Sequence, residues 1–189
     1  ADQASGLLLR ADVIGERIVP IIHDHGGTVI SFMGDGIMAV FGVPQALPNP
    51  CAAAFEATRD MLAYLRDLNV ELARRGEMPL EIGIGLHAGE GVAGHIGAAA
   101  RHEYSLIGDV TNVASRLEGV TKEVGYHLVC SRAVVDRLED RADLVPLGAR
   151  KIKGHSAVEI YGYDRIGVTA APPAGSPPRT SCTARPIRS

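Results

Sequence analysis

The sequence predicts an α+β domain, and three observations carry that expectation. Two β-rich apolar runs, 29–33 and 37–41, flank Gly34-Asp35-Gly36 and read as a hairpin with the acid at its tip. One long amphipathic stretch, Ala52 to about Arg75, has a single apolar face suited to lying on a sheet. A later pair of runs, about 144–152 and 158–163, reads as a closing hairpin around Lys153-Gly154-His155. With 189 residues and 46% hydrophobic content, the chain can bury one core and leave a small appendage.

Charge and composition exclude several classes. A net charge of −3 gives no electrostatic footprint for a nucleic-acid polymer. No apolar run approaches the ~20 residues of a membrane span, and the opening Ala-Asp-Gln-Ala-Ser-Gly lacks the regions of a secretory signal. A cytoplasmic domain with no membrane span is expected. Cys51, Cys130 and Cys182 are odd in number and widely spaced, which suits a reducing compartment and marks them as small buried or bystander residues.

Taken in order, Leu7, Leu8, Leu9, Val13, Ile14, Ile18 and Ile21 recur at helical spacing, so a helix is expected from Ser5 to about Asp24, kinked or broken at Pro20 and stopped by Gly26-Gly27. His23 and His25 read as imidazoles complementing the carbonyls of that helix end, with a metal as the alternative. Asp35 is then presented on a turn whose glycines let a large anion approach, which suits a hard cation held against phosphate oxygens; Asp-Gly is also ordinary turn chemistry. Pro44, Pro48 and Pro50 mark a loop before the amphipathic helix. Leu80, Ile82, Ile84 and Leu86 alternate as a strand with Glu81, Gly83, Gly85 and His87 on its other face.

The run Gly89-Glu90-Gly91-Val92-Ala93-Gly94 has dinucleotide-site spacing, but no long helix opens there, and it reads as leading into a second strand. Arg101 to Ile107 is a short strand or loop. A helix follows from about Val110 to Val124 with Val113, Leu117 and Val120 inward. Asn112 and Arg116, spaced i, i+4, lie one turn apart, about 6 Å along the axis. Together they can bind an anionic group whose charge develops during a reaction; alternatively, Arg116 pairs with Glu118 or Glu123. His127 to Cys130 is a strand, and Ser131 to Asp140 a helix capped by Ser131. Lys153 beside Gly154 is a phosphate contact or a solvated turn lysine. Beyond Arg165 the Pro-, Ala- and Ser-rich composition reads as a disordered tail, dividing the chain into a domain, 1–164, and a tail, 165–189.

The sequence resembles the catalytic domain of class III adenylate and guanylate cyclases. The likeness rests on His25-Gly26-Gly27, Phe32-Met33-Gly34-Asp35-Gly36-Ile37-Met38-Ala39-Val40-Phe41-Gly42, Ile82 to Glu90, Arg101 to Asp109, Asn112-Val113-Ala114-Ser115-Arg116-Leu117-Glu118 and Lys151-Ile152-Lys153-Gly154, in family order. It implies a ferredoxin-like βαββαβ core with helices on an antiparallel-rich sheet, working as a head-to-tail homodimer with sites between subunits. It also implies conversion of ATP, less readily GTP, to a 3′,5′-cyclic nucleotide and pyrophosphate with two Mg²⁺ or Mn²⁺ ions. By resemblance Asp35 is a metal ligand, Asn112 orients the ribose, Arg116 stabilises the transition state and Lys153 meets the triphosphate.

Two departures bear on activity. The family's other metal aspartate stands on a first strand well before His-Gly-Gly. This chain begins too late to contain it, and Asp2 is not a substitute. A sheet lacking its first strand, a site lacking one carboxylate, and weak or absent turnover are expected. The two base-reading positions hold Ser31 and Ser105, which match neither the ATP nor the GTP pattern, although Ser105 keeps a hydroxyl. The alternative function is a catalytically impaired cyclase-like module for dimerisation or nucleotide sensing.

Overall fold

The computed structural model describes residues 2–10, 15–96, 103–152 and 156–163, with residues 2–10, 15, 92–96 and 103–107 described by their backbone alone. The core runs β1 (Asp2–Arg10), α1 (Gly15–Asp24), β2 (Gly27–Met33), β3 (Gly36–Phe41), α2 (Pro50–Arg74) and β4 (Gly83–Ile96). Their order across the sheet is β2-β3-β1-β4 with antiparallel neighbours, the ferredoxin-like βαββαβ arrangement. The chain continues through β5 (Glu103–Ile107), α3 (Asp109–Val124), β6 (Leu128–Ser131), α4 (Arg132–Val135), β7 (Val145–Lys151) and β8 (Ala157–Tyr163). Strand β6 joins β4 in parallel, β8 and β7 follow antiparallel, and β5 folds back on the far half of β4.

The sheet is not short of its first strand. Residues 2–10, expected from Ser5 onward to begin a helix, form β1 between β3 and β4, with Leu7 across from both Ala39 and Leu86. The run Leu7-Leu8-Leu9 satisfies helical or strand periodicity, and two flanking strands with free ladder edges decide between them. The helix begins only at Gly15 and runs through Pro20 to Asp24 without interruption. Gly26, at φ 75°, ends the reversal that follows it.

Two helical layers enclose the sheet. Ile18 and Ile22 of α1 and Met61, Leu62 and Leu65 of α2 join Ile84 and Leu86 in the main core. On the other face α3 sits directly on β4, because that side of the strand is glycine: a Cβ on Gly85 would lie 2.0 Å from the Ala114 carbonyl oxygen and 2.4 Å from the Glu118 nitrogen. Val113, Leu117, Val129 and Ile160 form the smaller core beneath α3. Strand β3, with helices or strands around it, is buried along its whole length. Helix α2 begins where Asn49 accepts from the Ala52 N–H, with Pro50 in the first turn where its missing N–H costs nothing.

Three local expectations are corrected. The glycine run 89–94 is the middle of one long strand whose first half pairs with β1 and whose second half pairs with β5. The helix expected over 131–140 is the single turn Arg132–Val135, and the Ser131 hydroxyl meets His87 Nδ1 at 2.8 Å instead of capping it. His25 Nε2 lies 2.8 Å from Asp60 Oδ2 on α2, while His23 Nδ1 is 3.1 Å from the Gly27 carbonyl. Among the described residues no helix is long and apolar enough to cross a membrane.

Candidate functional site

The hairpin places Asp35 as expected. Gly34 takes a positive φ of 62°, the turn holds Gly34 and Asp35, and Met33 pairs with Gly36 across it. Asp35 is half-buried. The approach strand is not regular: the register shifts between Val29 and Ser31, leaving Ile30 unpaired. Such a bulge twists an edge strand and re-aims the next side chains. Ser31, Phe32 and Met33 after it are all exposed, Phe32 to 66%.

Asn112 and Arg116 leave α3 on its solvent side. Helical geometry decides this, since the neighbouring positions Val113, Ala114 and Leu117 are buried and Ala114 abuts Gly85. Glu118 is buried toward β4, away from Arg116, which removes the pairing of those two as an account of the arginine. The amide and guanidinium therefore share one open face, one turn apart, while Asp35 belongs to a different element.

Ser105 lies in β5 opposite Gly94. Strands β2 and β5 approach to Cα separations within 8 Å, so the elements carrying Ser31 and Ser105 are neighbours although they are far apart in sequence. Lys153 falls outside the described residues.

Sequence reasoning missed two features here. The first is what β1 brings to the turn: Arg10 pairs with Gly36, beside Asp35, while Asp2, the acid of that strand, pairs with Gly91 at the opposite end. Nothing local distinguishes that strand from a helix. The second is the His87–Ser131 contact, which ties β4 to the start of α4; its donor and acceptor stand 44 positions apart, beyond any spacing rule.

Asp35 contributes one carboxylate, the backbone of Arg10 in β1 pairs with Gly36 beside it, and among the described residues no three His, Cys, Asp or Glu side chains converge as metal ligands. A magnesium ion can be held by one carboxylate when substrate phosphates complete its shell.

Known proteins match this architecture. The profile of the adenylate and guanylate cyclase catalytic domain matches residues 12–164. Adenylate cyclase 1 of Rhizobium meliloti is 35% identical over 152 residues, covering 80% of this chain and 23% of the relative. An adenylate cyclase of Anabaena cylindrica is 33% identical over 119 residues, 62% of this chain and 23% of its own length. The chain thus spans less than a quarter of these curated relatives. Among solved structures, the adenylyl cyclase CyaB from P. aeruginosa superposes with a TM-score of 0.74 at 26% identity over 85% of this chain and 93% of that one. The guanylyl cyclase Cya2 gives 0.73 at 26% identity over 90% and 95%.

Proposed function

The chain belongs to the family of adenylate and guanylate cyclase catalytic domains, and from that membership we propose that it forms a homodimer that cyclises ATP, or less readily GTP, to the 3′,5′-cyclic nucleotide with release of pyrophosphate. The observation that carries this reading is the exposure of Asn112 and Arg116 together on α3. Polar groups of this kind, one turn apart and turned away from the core, are available to a substrate held against a second copy.

In this reading Asp35 of one subunit faces Asn112 and Arg116 of the other. Asp35 would hold Mg²⁺ or Mn²⁺ against the triphosphate, and a bound cation of this kind polarises the phosphates and lowers the pKa of the ribose 3′-hydroxyl. The Asn112 amide orients the ribose. The Arg116 guanidinium takes up charge that develops on the α-phosphate and on the departing pyrophosphate, which is where fixed donors accelerate phosphoryl chemistry most. Ser31 and Ser105 offer hydroxyls to the base from neighbouring strands, and Lys153 is assigned to the triphosphate. The exposed edge of β2, with Phe32 and Met33, supports the same dimer by offering apolar surface beside the turn.

The test uses mixed subunits. With Mn²⁺ and ATP or GTP, Asp35→Ala and Arg116→Ala should each lower turnover about 10²–10³-fold as homodimers. Mixing the two should restore activity, because one of the two shared sites then keeps both groups. No product from the unaltered chain with either base ends the catalytic proposal, and no rescue on mixing ends the shared site.

A second reading has an observation of its own. The pairing of Arg10 with Gly36, next to the turn that carries Asp35, supports a module that binds nucleotide without turning it over. It expects saturable nucleotide binding with no cyclic product even at high protein concentration.

A further inference from the structure

The face of β4 that carries α3 is almost bare. Its positions in order are Gly83, Gly85, His87 and Gly89, so one imidazole stands in a row of glycines beneath the helix. The helix backbone rests on the strand at Gly85, and a Cβ on Gly83 would meet Thr121 Oγ1 at 2.6 Å. Those two contacts seat the middle and the end of α3.

The first two turns rest differently. Gly108, at the N-cap, has no side chain to accept from the first amides, so no side-chain cap fixes where α3 begins. Val110 is buried in a small cluster with Val40 and Val43. A Cβ on Gly89 would lie 3.1 Å from Val110 Cγ2 and 3.6 Å from His87 Nε2, so the valine and the imidazole close over the same glycine.

The other nitrogen of the ring is held from β6. His87 Nδ1 and Ser131 Oγ are 2.8 Å apart, and the serine is fully buried. That hydroxyl stands at the N-cap position of α4 and makes no cap hydrogen bond there, so the contact with His87 replaces a local one that serine ordinarily makes. The χ2 torsion of histidine is broad and roughly two-fold, and without this partner the ring would sample several orientations under the helix.

We propose that His87, held in one orientation by Ser131, is a positioning residue for cyclisation: its ring fixes how the first two turns of α3 sit on β4 and thereby where the Asn112 amide meets the ribose. This role rests on the cyclase reading above. Arg116 lies between Ala114 and Glu118, which the Gly85 contact already seats, and depends on His87 less. Misorientation of the ribose lowers the rate of the bound complex and leaves the grip on the triphosphate unchanged, so kcat falls and KM does not rise.

Two readouts test the proposal on the full chain, one of them independent of catalysis. The variants are Ser131→Ala, His87→Phe, which keeps a ring without nitrogens, and their combination; the control is Thr58→Ala, which deletes a buried hydroxyl bond to the Ala54 carbonyl inside α2. With Mn²⁺ and ATP, each single variant should lower kcat about tenfold with KM within about twofold, and the combination should fall no further than the worse single variant. Thr58→Ala should leave both constants unchanged. Amide hydrogen exchange without nucleotide, read by mass spectrometry, should accelerate at least about threefold over 109–116 in Ser131→Ala but not over 117–124, and should not change over 109–116 in Thr58→Ala. If His87→Phe does not fold, Ser131→Ala alone decides. Unchanged exchange over 109–116 overturns the seating by His87 whether or not the chain turns over nucleotide. Faster exchange with unchanged kcat, or a rise in KM with kcat unchanged, overturns the positioning role. Absence of product from the unaltered chain overturns the cyclase reading and the positioning role with it, and the exchange result distinguishes that failure from a failure of the seating.

Discussion

Cys130 lies at the centre of β6, where burial pushes its thiol up to about 12 from the ordinary 9.0. The folded chain therefore keeps a proton that the unfolded chain releases above pH 9, and stability falls as pH rises between those values by about 1.4 kcal/mol per unit. Urea midpoints measured at pH 8.5 and 10.5 should drop more for the unaltered chain than for Cys130→Ala, and an equal drop would remove the thiol from the account. The same burial makes Cys51 and Cys130 slow to react with thiol reagents until the chain unfolds. The reading of these cysteines as small interior residues follows from their spacing; the size of the titration shift does not, since it depends on what packs around the sulfur.

At the scale of elements, the decisive contact is α3 on β4. Gly85 lets the helix backbone rest on the strand, and a methyl group there meets backbone atoms of Ala114 and Glu118 that cannot swing aside. Gly85→Ala should cost about 1–3 kcal/mol or more and lower any cyclase activity further than stability alone explains, because α3 moves and carries Asn112 and Arg116 with it. Gly119→Ala on the same helix has nothing within 4 Å and should stabilise by up to about 1 kcal/mol. Chemical denaturation of the two variants compares them directly; equal effects would mean that α3 does not rest on Gly85. The alternation over 80–86 makes a glycine face legible in the sequence, but not what lies on it.

For the molecule as a whole, the open edge at β2 is the feature that an isolated chain leaves unexplained. Phe32 and Met33 stand exposed beside a turn that carries a half-buried acid. If two copies meet there, Phe32→Asp should shift sedimentation toward monomer and abolish rescue between mixed subunits while leaving the unfolding midpoint within about 0.5 kcal/mol of its original stability. An unchanged association state would move the dimer interface elsewhere. The division into a domain, 1–164, and a tail, 165–189, is a proposal that limited proteolysis tests: cleavage should begin beyond Tyr163 and leave a fragment that unfolds with the midpoint of the full chain.

The hairpin at Asp35, the long helix α2 and the exposed pair on α3 were determined by the sequence, because each depends on periodicity, turn chemistry or caps within a few residues of chain. The order of strands in the core came with the family likeness those motifs carry. What only the tertiary structure decided depends on distant partners. Residues 2–10 are a strand because β3 and β4 offer two open ladders, Ser131 meets His87 instead of capping a helix, and Arg10 stands beside Asp35 through a pairing that no local pattern encodes. Hydrogen bonds between strands are indifferent to separation along the chain, so the residues that stand beside the Asp35 turn are chosen by the sheet.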